Sequence, residues 1–173
     1  MRSASTLLMS LTAAVAIAAP ATAAEFEFPA RKPGQWNIEL DTGDGQTMAM
    51  QVCLDAATDS QMMAAGMSMS EGMCSEMNID NQGDTIVIDA TCTIGTMQTT
   101  SHSVMSGDFQ SAYMVEITSD VTGAPPGMPS HSVITQRATW TGDCADGLAP
   151  GDMMMPGGMK VNIQQMMQSM GGG

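Results

Sequence analysis

The chain has 173 residues, with 18 acidic side chains against five Lys and Arg and a formal net charge of −13 at pH 7. Nucleic acid and anionic lipid are bound through clustered Lys and Arg, so this composition argues against both as partners. Aromatic residues are 3% of the chain while Met numbers 21, so core volume is expected from Ile, Val, Leu, Ala and Met.

Residues 1–24 read as a secretory signal peptide. Arg2 precedes an apolar run from Leu7 to Ala19, and small residues Ala21-Thr22-Ala23-Ala24 come before an acidic turn. The run is about 13 residues where a membrane span needs roughly 20, which argues against an anchor, and cleavage is expected after Ala23 or Ala24. Cys53 is the first cysteine and lies far from that point, so no lipoprotein anchor is expected there. The expected product is soluble and periplasmic, with no membrane span, and at about 149 residues it is one ordinary domain. Without Arg2, four basic residues face eighteen acidic ones, a charge of −14.

Period-two alternation starts at Trp36. The segment 36–40 (WNIEL) and the segment 47–54 (TMAMQVCL) flank a turn-rich Asp-Thr-Gly-Asp-Gly-Gln and predict a first hairpin. After Cys53, the residues DAATDSQMMAA predict a short helix, with Asp55 or Thr58 as its cap and Gly66 as its stop. Beyond that stop, the Met-rich stretch up to Cys74 reads as a mobile loop.

Residues 74–92 read as strand, turn, strand, reversing at Asn81-Gln82-Gly83-Asp84. Cys74 and Cys92 are both nine residues from Gly83, so they lie nearly opposite each other. A strict two-residue loop at Gln82-Gly83 matches Ile79 with Ile86 and puts Cys74 opposite Thr91; a bulge or a three-residue loop reconciles the two. The expected disulfides are therefore Cys74–Cys92 and Cys53–Cys144. No Cys-x-x-Cys occurs, and the cysteine spacings do not match zinc modules.

Gly95 leads into a strand that ends at a turn at Ser106-Gly107-Asp108. The next strand places Phe109, Tyr113, Val115 and Ile117 on one face. The loop GAPPGMPS precedes a strand in which Ile134, Ala138 and Trp140 share a face. About seven strands with short connections describe a mainly β chain, an antiparallel meander curled into a half-barrel or barrel, with a sandwich as the alternative. Residues 25–144 form this domain. Residues 145–173 read as a Gly-, Pro- and Met-rich linker followed by a short amphipathic helix in which Met159, Ile163, Met166 or Met167, and Met170 recur at helical spacing.

The opening KPGQWNIEL, the segment CLDAATD, the Cys pair around a hairpin and the closing ATWTGDC resemble the proteobacterial exported family known as domain of unknown function 3617. The likeness covers roughly residues 31 to 144. It implies a small, disulfide-bonded, mostly β exported domain and no established activity. Asn37 stands where an acidic residue is expected after the Trp, and the Met-rich tail lies outside the pattern.

Signals for enzymatic chemistry are few. His102 and His131 are the only histidines, both in a Ser-His-Ser-Val tetrapeptide, and no Gly-x-Ser-x-Gly elbow surrounds a serine. The two copies mark either equivalent strands or a coincidence in a Ser-rich chain. Exposed strand histidines are the plain reading, and a small hydrolase using His102 or His131 is the catalytic alternative. No phosphate-binding loop or EF-hand spacing is present.

The methionines offer the sharper alternatives. Met62, Met63, Met67, Met69 and Met73, and again Met153, Met154, Met155 and Met159, have the close spacing with which soft, neutral thioethers wrap Cu(I) or Ag(I). Methionine is equally a pliable filler of cores and of adaptable contact surfaces, suited to an apolar ligand or partner chain such as an envelope protein. Exposed Met also absorbs oxidant as sulfoxide. The expectation is an exported, non-enzymatic protein with a binding or envelope-related role and no cofactor, with Cu(I) binding as the alternative.

Overall fold

A computed structural model describes residues 26–171; the expected signal peptide, 1–24, lies outside the described residues. Nine strands form a single open antiparallel sheet. They are β1 (Gly34–Asp41), β2 (Thr47–Leu54), β3 (Cys74–Asn81), β4 (Thr85–Ile94), β5 (Met97–Asp108), β6 (Ala112–Thr122), β7 (His131–Gly142), β8 (Asp152–Met154) and β9 (Lys160–Asn162). Two helices join them, α1 (Ala56–Met73) and α2 (Ile163–Gly171). The strand order is β3-β4-β5-β6-β7-β1-β2-β8-β9. The sheet is neither closed into a barrel nor folded as a sandwich.

The seven expected strands are β1 to β7. Between β3 and β4 the turn is centred on Gly83-Asp84, with Gly83 at φ 88° and Gln82 N–H donating to Thr85 O at 2.8 Å. Glycine at the first central position is the type II′ preference, which matches the twist of the flanking strands. Ile79 therefore faces Ile88, and a bulge at Ser75 brings Cys74 opposite Cys92. Both expected disulfides, Cys74–Cys92 and Cys53–Cys144, are present.

Three local expectations change. Helix α1 does not stop at Gly66 but runs for 18 residues to Met73. A glycine inside a helix costs about 1 kcal/mol, too little to end one whose far end is tied by Cys74 to the sheet. The turn expected at 106–108 falls three residues later, at 109–111: Gly107 lies within β5, and Asp108 accepts hydrogen bonds from Gln110 N–H at 2.8 Å and the Ser111 hydroxyl at 2.7 Å. Phe109 is buried from that turn instead of from a strand. Finally, residues 145–162 do not form a linker. Met153 and Met154 pair with Val52 and Gln51, Gly151 N–H donates to Cys53 O at 2.8 Å, and Ile163 is buried in the core.

Alternation puts Trp36, Ile38, Val52, Leu54, Tyr113, Val115, Ala138 and Ile86 on one face of the sheet, where they are buried. Phe109 stacks on Tyr113 at 4.7 Å between ring centroids, and Tyr113 meets Trp36 at 5.5 Å. Helix α1 returns the chain from β2 to the far edge at β3, six strand positions away. Eighteen helical residues measure about 27 Å, and six strand spacings about 29 Å, so α1 suits a crossing of the sheet. Its first turn is buried at Thr58 and Asp59, Met62 packs on the core, and its later part meets β3 and β4.

None of the methionines from Met48 to Met166 is buried. Met50, Met62, Met105 and Met153 only lean on the core, which is built from β-branched, Leu and aromatic side chains. The expectation that Met supplies core volume is thus met only at the edges of the core.

Candidate functional site

The motif residues near the two ends of the domain meet at one corner. The Trp36 indole donates to Lys32 O at 2.8 Å and the Trp140 indole to Pro33 O at 3.0 Å, while the Lys32 ammonium lies 3.5 Å from the centre of the Trp140 ring. Gly34 has φ 127°, and a Cβ there would collide with Gly142 O and stand 2.6 Å from the Trp140 indole nitrogen. Only glycine fits so close a crossing. From the second motif, Asp55 caps α1 by accepting the Thr58 N–H at 2.7 Å. Asp59 takes the Arg31 Nε at 2.6 Å and the Arg31 backbone N–H at 2.9 Å, and both side chains are buried. The Cys53–Cys144 bridge closes the same corner. These residues each have a partner inside the fold.

The family model described as Protein of unknown function (DUF3617) matches residues 31–144. The chain belongs to this family. No curated protein and no solved structure matches it. The matched segment carries both motifs, all four cysteines and β1 to β7; β8, β9 and α2 lie beyond it.

A groove of about 740 Å³ lies on the polar face of the sheet, opposite the core. Register explains its lining. Asn78, Asp89, His102 and Thr118 form one cross-strand row over β3 to β6, and Glu76, Thr91, Thr100 and Asp120 form the next. His102 Nδ1 is 2.7 Å from Asp89 Oδ1, and His131 Nδ1 is 2.9 Å from Asp120 Oδ1. Each histidine faces its aspartate directly from the following strand. The repeated Ser-His-Ser-Val therefore marks equivalent positions in two hairpins. Its serines, one residue from each His, alternate to the other face, so no hydroxyl of the tetrapeptide stands beside an imidazole.

Sequence reading missed Asp89 and Asp120 as histidine partners. The signal was the two-residue turn Gly95-Thr96, which pairs Ile94 with Met97 and so Asp89 with His102. Among the described residues, no group of three or more His, Cys, Asp and Glu is placed to hold a metal ion.

The methionine sets fall on different surfaces. Along α1, the helical rotation puts Met62, Met69 and Met73 on one stripe and Met63 and Met67 on the next. Apolar residues wrap around α1 instead of gathering on one face. Met63 and Met67 line a groove of about 230 Å³ with Phe26, Phe28 and Pro29, and Glu27 and Asp59 also border it. Met69 is exposed, as is Met73. In the second set, Met153 leans on the core, Met154 and Met155 line a shallow groove beside Met50, and Met159 is exposed across the β8–β9 turn from Met155. The nearest like pairs on α1, Met63 with Met67 and Met69 with Met73, are four residues apart, so each pair offers two thioethers on one side of the helix.

Proposed function

We propose that this chain is an exported, non-enzymatic binding protein of the periplasm whose Met-rich helix α1 grips an apolar, positively charged polypeptide segment. The observation that carries this reading is the groove between Phe26, Phe28 and the thioethers of Met63 and Met67, on a chain whose methionines from Met48 to Met166 all lie outside the buried core. Methionine is unbranched and polarisable, so a surface rich in it adapts to varied apolar side chains. The acidic chain, with Glu27 at the groove, complements Lys and Arg on the partner and favours fast, salt-sensitive association. Four cysteines in two disulfides agree with an oxidising compartment. No helix among the described residues is long and apolar enough to cross a membrane.

The test is fluorescence anisotropy with a labelled Leu- and Lys-rich amphipathic peptide. Replacing Met63 and Met67 by Leu keeps binding, whereas Met63→Asp with Met67→Asp weakens it by at least about tenfold, or 1.4 kcal/mol. Equal binding by the native and Asp forms overturns the groove as the site. A parallel Cu(I) competition against a chromogenic chelator separates the soft-metal alternative. Competition that disappears when Met62, Met63, Met67, Met69 and Met73 become Leu, together with no peptide binding, replaces the peptide reading with copper binding.

A further inference from the structure

We propose a second activity that does not depend on the partner: the surface thioethers act as a sacrificial sink for two-electron oxidants. Three observations carry it. First, the thioethers are within reach of solvent. Met159 is 61% exposed, Met69 56% and Met128 48%, and Met48, Met73, Met114 and Met166 are also exposed. They are spread over α1, α2, the sheet and its loops.

Second, the other readily oxidised groups are bonded, buried or only partly open to solvent. All four cysteines are in disulfides, Trp36 and Tyr113 are buried, and Trp140 is partly buried with the Lys32 ammonium over its ring. Oxidant arriving from solvent therefore meets thioether sulfur before any thiol or buried ring. Third, the core does not rest on methionine. Sulfoxide formation turns a flexible apolar side chain into a polar one and disrupts cores built on Met. Here the buried cluster contains no Met, so oxidation of the exposed set leaves it intact.

The chemistry balances without a cofactor. With hypochlorous acid, the methionine sulfur supplies two electrons and takes the oxygen; the O–Cl bond breaks, and chloride and a proton leave. With hydrogen peroxide the O–O bond breaks and water leaves. Each exposed Met consumes one oxidant molecule and becomes a sulfoxide, a product that methionine sulfoxide reductases return to the thioether.

The experiment adds hypochlorite stepwise to the folded, disulfide-bonded protein, with peptide mapping by mass and a thermal melt at each step. Met69, Met128 and Met159 are expected to gain oxygen before Met50, Met62 and Met105, with the melting temperature unchanged until the latter react. A bystander enzyme in the same solution provides the functional readout. Changing Met48, Met69, Met73, Met114, Met128, Met159 and Met166 to Leu lowers the protection per mole at least about twofold at oxidant doses that spare Met50, Met62 and Met105, since the most accessible sulfur is gone. Unfolding at the first sulfoxides, oxidation of Met50 and Met62 as early as Met69, or undiminished protection by the Leu variant overturns the proposal. Peptide binding is measured on separate, unoxidised samples, so the two proposals fail independently.

Discussion

Truncating Asp59 to Ala tests whether the family motif holds the fold together. The Asp59 carboxylate receives Arg31 Nε at 2.6 Å and the Arg31 backbone N–H at 2.9 Å, and Arg31 Nη1 donates to the Tyr113 hydroxyl at 3.4 Å. The side chains are only 8% and 4% exposed. Removing the carboxylate leaves a buried guanidinium with a single weak neutral partner, and a backbone donor with none. Breaking a buried pair in this way costs about 3–5 kcal/mol. For a domain of this size that lowers the melting temperature by roughly 6–20 °C. Urea unfolding followed by tryptophan fluorescence measures it, since Trp36 packs on Tyr113 beside the pair. The double variant Arg31→Met with Asp59→Leu should recover most of the loss, because apolar replacement of both partners removes the uncompensated charge. A cost below about 1 kcal/mol for Asp59→Ala, the range of exposed pairs, would refute the reasoning.

Other outcomes follow from the same structure. A Cβ at Gly66 or Gly72 meets nothing within 4 Å, so Gly66→Ala and Gly72→Ala should each raise the unfolding free energy by about 0.5–1 kcal/mol; destabilisation by either would show that α1 does not continue past Gly66. Gly34→Ala should abolish accumulation of folded protein, read by circular dichroism, because the new methyl overlaps Gly142 O. The two disulfides close loops of 91 and 18 residues, so paired Cys→Ser replacements should cost about 4.6 and 3.2 kcal/mol on the chain-entropy model; equal costs in denaturant titrations would contradict it.

Acid stability has a definite sign. The Thr58 hydroxyl and backbone N–H hold the Asp55 carboxyl below its ordinary value of 3.8, the Ser111 hydroxyl and Gln110 N–H do the same for Asp108, and the Ala149 N–H and Asn162 amide do so for Asp152. Folded values below the unfolded one stabilise fully above 3.8, and the contribution is lost as pH falls through the folded values. Melting temperatures measured from pH 6 downward should fall below about pH 4, and less steeply in Asp152→Asn.

Local pattern made much of this protein legible. Period-two alternation marked β1 to β7 and the buried faces of most of them, because side chains in a strand alternate whatever its neighbours are. The Asn81-Gln82-Gly83-Asp84 reversal and the equal spacing of Cys74 and Cys92 from Gly83 were enough to pair those cysteines, since a hairpin register depends on its turn. The cap at Asp55 was readable for the same reason: its bond to Thr58 N–H spans three residues.

Tertiary structure decided what depends on distant partners. Residues 152–154 and 160–162 are too short to show alternation, and become strands only because β2 presents an open edge to them. Helix α1 passes Gly66 because the Arg31–Asp59 pair and Cys74 hold its two ends, a constraint no helix propensity contains. The meeting of Asp89 with His102 and Asp120 with His131 follows from register across two hairpins. Composition recorded an abundance of methionine but not its place. Packing decided that, filling the interior with the stiffer Trp, Tyr, Phe, Ile, Val and Leu and leaving the thioethers at its margin and on the surface.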